Sequence, residues 1–110
     1  MTQIKNLTPH AIHIVSDNGD VTTINPSGII ARVSSRTVTI GEIITDSVVI
    51  PMTATEFGEV ENLPEPEEGV IFVVSSLVAS RVHRSDVFIP NESVRDSEGR
   101  IIGCKSLGRV

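Results

Sequence analysis

Several residue types are scarce in this 110-residue sequence, and each scarcity excludes a class of protein. Tryptophan and tyrosine are absent and phenylalanine occurs three times, so the aromatic platforms that stack nucleic-acid bases are missing. The single cysteine, Cys104, cannot form an internal disulfide, which fits a reducing cytoplasm. The longest apolar run, Val70–Val74, is too short to cross a membrane, and the first residues lack the features of a secretion signal. We therefore expect a cytoplasmic protein that does not enter membranes.

A shortage of helix-forming residues points to β structure. Leucine and alanine together number 8, whereas valine and isoleucine together number 29. Branching at Cβ restricts side-chain rotation in a helical turn but packs well on a pleated sheet. With 39% hydrophobic residues, the chain can form a core of its own. We predict a single domain over residues 1–110 that is mainly β: a small antiparallel barrel or a two-layer sandwich with one short helix.

Turn residues divide the chain into short predicted strands. Asn18-Gly19 predicts a β-hairpin, and Arg95–Arg100 predicts a second one. The segment Val70–Val74 is apolar at every position, which is typical of a central strand that is buried on both faces. Ser75-Ser76 then resembles a helix cap, so the one predicted helix covers Leu77–His83.

The middle of the chain is predicted to be broken into shorter pieces. The alternating segment Thr37–Ile40 is expected to stop at Gly41, and Pro51 places the strand over residues 47–53 at an edge or a bulge. The stretch from Glu56 to Glu68 contains six glutamates and no basic residue. It is interpreted either as a solvated loop or as an acidic patch for a basic partner.

The net charge of −5 is unevenly distributed along the chain. Residues 1–80 carry three basic and ten acidic side chains, whereas residues 81–110 carry six basic and four acidic ones. Five of these six basic residues are arginines, which suit bidentate contacts to phosphate or carboxylate. The chain as a whole lacks the positive field of a general nucleic-acid binder, so that class is set aside. The basic C-terminal part is either an ordinary solvated surface or a place where an anion is held.

Two serines and the arginines that follow them are the strongest candidates for binding an anion. A strand that ends in Ser75 and Ser76 and turns into a helix offers hydroxyls and free backbone N–H groups. Arg81 and Arg84 lie near the far end of that helix and would close more readily over an anion from a neighbouring subunit. Asp86 would orient an arginine or meet a ribose hydroxyl. Arg84 is taken as exposed, so its removal should leave the fold intact. The alternative is that Ser76 only caps the helix and the arginines are solvated.

Other chemically active residues give weaker signals. Arg32, which follows the turn at residues 26–28, and His10 are candidates for contacting a base or a second phosphate. His10 and His13 would point to opposite faces of a strand, and no ligand set for a metal is complete. Cys104 is interpreted as a small buried hydrophobe. Because no phosphate loop, dinucleotide fingerprint or nucleophile elbow is present, no catalytic residue, cofactor or metal is predicted.

Four segments resemble a set of small phage and prophage proteins. They are Asn6–His10, Pro26–Gly28 with Ala31-Arg32, Val74–Ala79, and Arg95-Asp96 with Gly99–Cys104. None of these segments specifies a reaction, so the resemblance implies a setting, a phage accessory gene, rather than a chemistry. Small phage proteins of the kind called sponges bind and sequester nucleotide-derived immune signals of the host, often as symmetric oligomers. The resemblance thus implies an anti-defence protein acting in the host cytoplasm.

Three hypotheses follow. The leading one is a non-enzymatic, homo-oligomeric protein that sequesters a small anionic nucleotide-like ligand through Ser75, Ser76, Arg81, Arg84, Asp86, His10 and Arg32. The second is a structural or protein-interaction module, such as a virion component or an inhibitor, with the acidic segment Glu56–Glu68 as its contact surface. The third is an enzyme that degrades the same kind of ligand with His10 or His83 as general base. Homo-oligomerisation is expected because a short chain with few aromatic residues has a limited core of its own.

Overall fold

The computed structural model describes residues 2–110, which form eight β-strands and one short helix. The elements are β1 (Gln3–Asn6), β2 (Ile12–Val15), β3 (Val21–Ile24), β4 (Arg32–Ile44), β5 (Val49–Glu61), β6 (Val70–Val73), α1 (Ser76–Ser80), β7 (Val87–Arg95) and β8 (Ile101–Gly108). The prediction of a mainly-β fold with one short helix is confirmed. No helix within residues 2–110 has the length and apolarity that a membrane span requires.

Six of the strands form one sheet in the order β1-β6-β7-β8-β2-β3. The two predicted hairpins, β2–β3 and β7–β8, are antiparallel and confirmed. The other three neighbouring pairs are parallel, so the sheet is mixed rather than antiparallel as expected. For β6 and β7 the reason is their connection, which carries α1 and is long enough for a parallel crossover, and the partners in the other two parallel pairs are separated by several elements.

The sheet curls without closing into a barrel. Its edge strands β1 and β3 approach each other, and a single bridge joins Asn6, the last residue of β1, to Pro26, which follows β3. Here the backbone N–H of Ser27 donates to the Asn6 carbonyl at 2.9 Å. Together with a separate two-stranded sheet made of β4 and β5, this gives a sandwich-like arrangement. Of the two predicted alternatives, the sandwich is the one that the fold adopts.

The core lies on both faces of β6. Phe72 is fully buried in a cluster with Val78 of α1, and Val33 and Val60 at the start of β4 and the end of β5 pack against it. The next residue, Val73, points to the other face and packs with Ile12 and Cys104, and possesses no exposed surface. Although β6 is second from the edge rather than central, its uniformly apolar sequence is explained by this double coverage.

Strands β4 and β5 form a long antiparallel hairpin, which we call the ribbon (residues 32–61). The predicted stop at Gly41 is wrong: β4 continues through this residue by means of a β-bulge between Thr39 and Gly41. The first part of the predicted acidic loop also belongs to β5, because Glu56 and Glu61 face Arg36 and Arg32 across the ribbon. Cross-strand pairing of opposite charges therefore replaces the apolar alternation that sequence reasoning looked for.

Two element boundaries also differ from the prediction. Helix α1 ends at Ser80 rather than His83, with Arg81 as the C-cap residue. Strand β7 continues past Pro90, which faces Leu107 of β8, instead of ending there. The first difference lies at the chain reversal between α1 and β7, and the second lies inside β7, where Pro90 is paired with β8.

Candidate functional site

Arg84 and Asp86 form the best-defined polar pair of the molecule. The Nε and Nη2 atoms of Arg84 donate to the two carboxylate oxygens of Asp86 at 3.0 and 2.6 Å. The Nη1 atom donates to the carbonyl of Pro64 at 2.8 Å, and the guanidinium lies 5.8 Å from the Phe72 ring centre. The pair therefore fixes Arg84 in place, as expected for an acid that orients an arginine. Two of the five guanidinium N–H groups remain beyond these three bonds.

The Arg84–Asp86 pair is also mostly buried, so it contributes to the stability of the fold. The side chains of Arg84 and Asp86 are 23% and 17% exposed, which corrects the expectation that Arg84 is an exposed arginine. The hydrogen bond from Arg84 lowers the pKa of Asp86, and the bond to Asp86 raises the pKa of Arg84. Removing either partner leaves a mostly buried charge without its counter-charge. Contrary to the expectation from the sequence, loss of Arg84 should therefore destabilise the fold.

A basic cleft of about 240 Å³ lies next to this pair, between the end of α1, the start of β7 and the C-terminal segment. Arg109 donates from Nη2 to the Ser85 carbonyl at 2.9 Å, and its guanidinium lies 5.1 Å from the Phe88 ring centre. His83 and Arg84 line the same cleft. Of the described residues that line it, none has an acidic side chain. The cleft therefore presents the side chains of His83, Arg84 and Arg109, and Val110 forms part of its wall.

The predicted serines and Arg81 lie at opposite ends of α1. Ser75 is the N-cap, and its hydroxyl accepts a hydrogen bond from the Val78 N–H at 3.4 Å, so capping accounts for one hydroxyl lone pair. Ser76 is the first helical residue. Arg81, six residues after the cap, is about 9 Å further along the axis at 1.5 Å per residue. Its guanidinium lies 4.6 Å from the Phe57 ring centre, on the ribbon. One chain does not bring these residues into a single pocket.

The backbone of His10 belongs to a network of hydrogen bonds around Asn6 that the sequence analysis did not predict. Asn6 is fully buried, and its amide donates to the carbonyls of His10 and Ile24 at 2.8 and 3.0 Å. Its Oδ1 atom accepts from the backbone N–H and the hydroxyl of Thr8. All the polar atoms of the buried amide are thus paired, and the segment Asn6–His10 ties the end of β1 to the end of β3. The exposed imidazole of His10 takes no part in these bonds.

Arg32 lies at the base of the ribbon and is not one of the residues that line the basic cleft. Its Nη2 atom is 3.4 Å from a carboxylate oxygen of Glu61, and both side chains are exposed. A second exposed pair, Arg36 with Glu56, follows along the ribbon at 2.6 Å. Two of the six glutamates of the predicted acidic patch therefore have a basic partner on the ribbon, which weakens the patch as a surface for a basic partner.

Other candidates are accounted for by packing. Cys104 is buried in the cluster with Ile12 and Val73, which confirms that it is a small buried hydrophobe. The His13 ring is 3.1 Å from the Thr23 hydroxyl, its partner across the β2–β3 hairpin. Within residues 2–110, no three histidine, cysteine or acidic side chains are grouped as metal ligands would be.

Arg109 is the residue of this site that sequence reasoning did not single out. It is one of the five C-terminal arginines, but nothing in the sequence connects it to Ser85, 24 positions earlier. The antiparallel pairing of β7 with β8 returns the C-terminal segment to the start of β7 and so creates this neighbourhood. The usable signal was compositional: the excess of arginine after residue 80.

Comparisons of the chain with protein-family models, with curated proteins and with solved structures give no match. The resemblance to small phage proteins accordingly stays a prediction. The functional argument rests on the geometry of the basic cleft and on the exposed surface of the ribbon.

Proposed function

We propose that this protein is a non-enzymatic binding protein that sequesters a small anionic nucleotide-derived molecule. The observation that carries the proposal is the basic cleft, in which Arg84 and Arg109 are both held by hydrogen bonds to the protein. Guanidinium groups that are fixed before binding lose little side-chain entropy when a phosphate arrives. His83 adds a group that donates or accepts a hydrogen bond at the same place.

The size of the cleft supports binding of part of such a ligand by one chain. Pockets for complete small molecules usually have volumes of about 300–1,000 Å³. A cleft of about 240 Å³ fits a phosphate with its sugar, and the rest of a nucleotide needs further surface. In a homo-oligomer that surface comes from a second copy. Arg81 and the serines Ser75 and Ser76 are the groups through which we propose that a neighbouring chain contributes.

Binding is tested by calorimetric titration of the purified protein with a panel of cyclic dinucleotides and ADP-ribose derivatives. Loss of one charge-assisted hydrogen bond costs about 1.5–3 kcal/mol, so Arg109→Ala should weaken binding by roughly tenfold or more. Arg109→Lys should restore only part of the affinity, because it keeps the charge but loses the planar fork. Mass spectrometry of the ligand after incubation should recover it intact, whereas a degrading enzyme would return altered nucleotides.

Arg109 is preferred to Arg84 for this test because Arg84→Ala also breaks the mostly buried pair with Asp86. The matched control is Arg95→Ala: Arg95 belongs to the same basic C-terminal part, but it donates to Gly99 in the β7–β8 turn. This control should bind like the wild type. If no member of the panel binds the wild type, or if Arg109→Ala binds equally well, the proposed function is wrong.

The second candidate function is a structural or protein-interaction module. The observation in its favour is the ribbon, which carries many exposed apolar side chains outside the body of the fold. In that case titration with the panel of nucleotides should give no heat of binding. A stable association through the ribbon would then be the only binding activity that the protein retains.

A further inference from the structure

The ribbon leaves far more surface exposed than a compact chain of this size would. A folded monomer of 11.8 kDa is expected to expose about 5,900 Å². This chain exposes 7757 Å², an excess of about 1,800 Å² over that scaling. Its radius of gyration is 18.3 Å, whereas a compact domain of this length has about 13 Å. The excess comes from an arm of two 13-residue strands in a molecule whose longest extent is 60 Å.

Apolar side chains form a continuous strip along one face of the ribbon. Residues directly opposite each other in an antiparallel pair share a face, so Ile43 and Ile50 lie together, as do Val38 and Ala54. Met52, opposite Gly41, lies between these two pairs. We call these five residues (Val38, Ile43, Ile50, Met52 and Ala54) the apolar face. Three of them, Ile43, Ile50 and Met52, are exposed large hydrophobics.

The β-bulge in β4 makes this face continuous. Val38 and Ile43 are five positions apart and would therefore point to opposite faces in a regular strand. The register shift between Thr39 and Gly41 brings both to the same side, opposite Ala54 and Ile50 of β5. The reverse face has the exposed pair Ile44–Val49 at its tip, but below it this face carries Glu42 and the threonine pairs Thr37–Thr55 and Thr39–Thr53. The two faces therefore differ below the tip, and Ile43, Ile50 and Met52 of the apolar face stay exposed in the structure of residues 2–110.

We propose that the apolar face of the ribbon binds a second copy of this chain. An isolated two-stranded ribbon is marginally stable in water, so this long arm calls for a covering surface. A standard interface takes about 800 Å² from each partner, so the excess of about 1,800 Å² over the whole chain is enough for one interface of that size, to which the apolar face contributes the apolar centre. Charge favours a second copy: the ribbon carries two basic and five acidic residues, and residues 81–110 carry six basic and four acidic ones. This inference does not depend on the proposed ligand.

The oligomeric state of face-specific variants tests the proposal. In I43E/I50K, opposite charges face each other across the ribbon, so the hairpin keeps a cross-strand attraction while the apolar face is lost. The matched control is I44E/V49K, which makes the same change at the neighbouring pair on the reverse face. By light scattering at tens of micromolar, the wild type and the control should have at least twice the 11.8 kDa chain mass, and I43E/I50K should have one chain mass.

A variant with a shortened ribbon tests the same interface even if the point variants misfold. Replacing residues 40–52 by Asn-Gly joins the paired residues Thr39 and Thr53 with a tight turn and leaves the buried base of the ribbon intact. This form should be monomeric with an unchanged sheet spectrum by circular dichroism. A monomeric wild type would overturn the proposal and leave the face for a different protein. Unchanged mass of I43E/I50K or of the shortened form would overturn it too, and dissociation of I44E/V49K alone would assign the interface to the reverse face.

Discussion

The body of this protein and its ribbon use the same β-forming residues in opposite ways. In β6, valine and phenylalanine side chains are buried on both faces, between α1 with the base of the ribbon on one side and strands β2 and β8 on the other. In the outer half of the ribbon, isoleucine and valine side chains are exposed on both faces. The body stabilises itself by packing, whereas the outer ribbon depends on cross-strand pairs alone. Composition predicts strands equally well in both regions, and only topology decides which strands are covered.

The two regions therefore differ in what a mutation should do. A substitution in the body acts on the free energy of unfolding of one chain, because the packed neighbours cannot adjust without creating voids or clashes. A substitution in the outer ribbon acts on a surface that meets solvent in the isolated chain, so its main effect is expected on association. Three measurements sharpen this contrast, beginning with the largest effect.

The largest difference is expected between two phenylalanines. Phe72 of β6 has no exposed surface, so Phe72→Ala should reduce the free energy of unfolding by about 3–5 kcal/mol. Phe57 of β5 is 41% exposed and packs against the Arg81 guanidinium, so Phe57→Ala should cost about 1 kcal/mol or less. Urea unfolding followed by circular dichroism measures both values. Equal losses would mean that the ribbon is as firmly packed as the body.

The next difference concerns two glycines inside strands. A Cβ atom at Gly103 of β8 would lie 2.6 Å from the backbone oxygen of His13, so the parallel contact between β2 and β8 would have to open. Gly103→Ala should therefore cost about 2–3 kcal/mol.

At Gly41 of the ribbon, the nearest atom to an added Cβ is the end of the flexible Met52 side chain, at 2.9 Å. Gly41→Ala should change stability by less than about 0.5 kcal/mol, because that side chain can move and alanine limits the unfolded chain. Thermal unfolding of the two variants provides the comparison. A stable Gly103→Ala variant would show that the β2–β8 contact is looser than its geometry indicates.

Sequence reasoning succeeded where the signal is local and failed where distant segments meet. The Gly19 and Gly99 turns, both with positive φ, and the apolar run of β6 are local signals, and each prediction is confirmed. The ribbon was missed because Gly41 and the glutamates read as breaks, although a bulge and cross-strand ion pairs carry the strands through them. The Arg84–Asp86 pair is close in sequence and was anticipated in part. The approach of Arg109 to Ser85 depends on the pairing of β7 with β8, which composition does not specify.

The smallest difference concerns two ion pairs of equal length, Arg84–Asp86 in the body and Arg36–Glu56 on the ribbon. A charge-assisted hydrogen bond is roughly twice as strong as a neutral one, so Asp86→Asn should cost about 1–2 kcal/mol at pH 7. The pKa of Asp86 is lowered by Arg84, so the carboxylate stabilises the fold at every pH above its unfolded pKa of about 4. This contribution is lost as the pH falls further, through the lowered pKa of the folded state.

The gap in stability between the wild type and Asp86→Asn should therefore shrink below about pH 4 and approach zero once the carboxyl group is protonated in both states. Glu56→Gln is the matched ribbon variant, and it should cost less than about 0.5 kcal/mol at neutral pH, since both side chains of that pair are more than half exposed and water screens the attraction. Urea unfolding of the three proteins between pH 3 and 7 measures these differences. A gap for Asp86→Asn that does not change with pH would mean that the lost contribution is packing rather than charge, and the contrast between body and ribbon would then rest on burial alone.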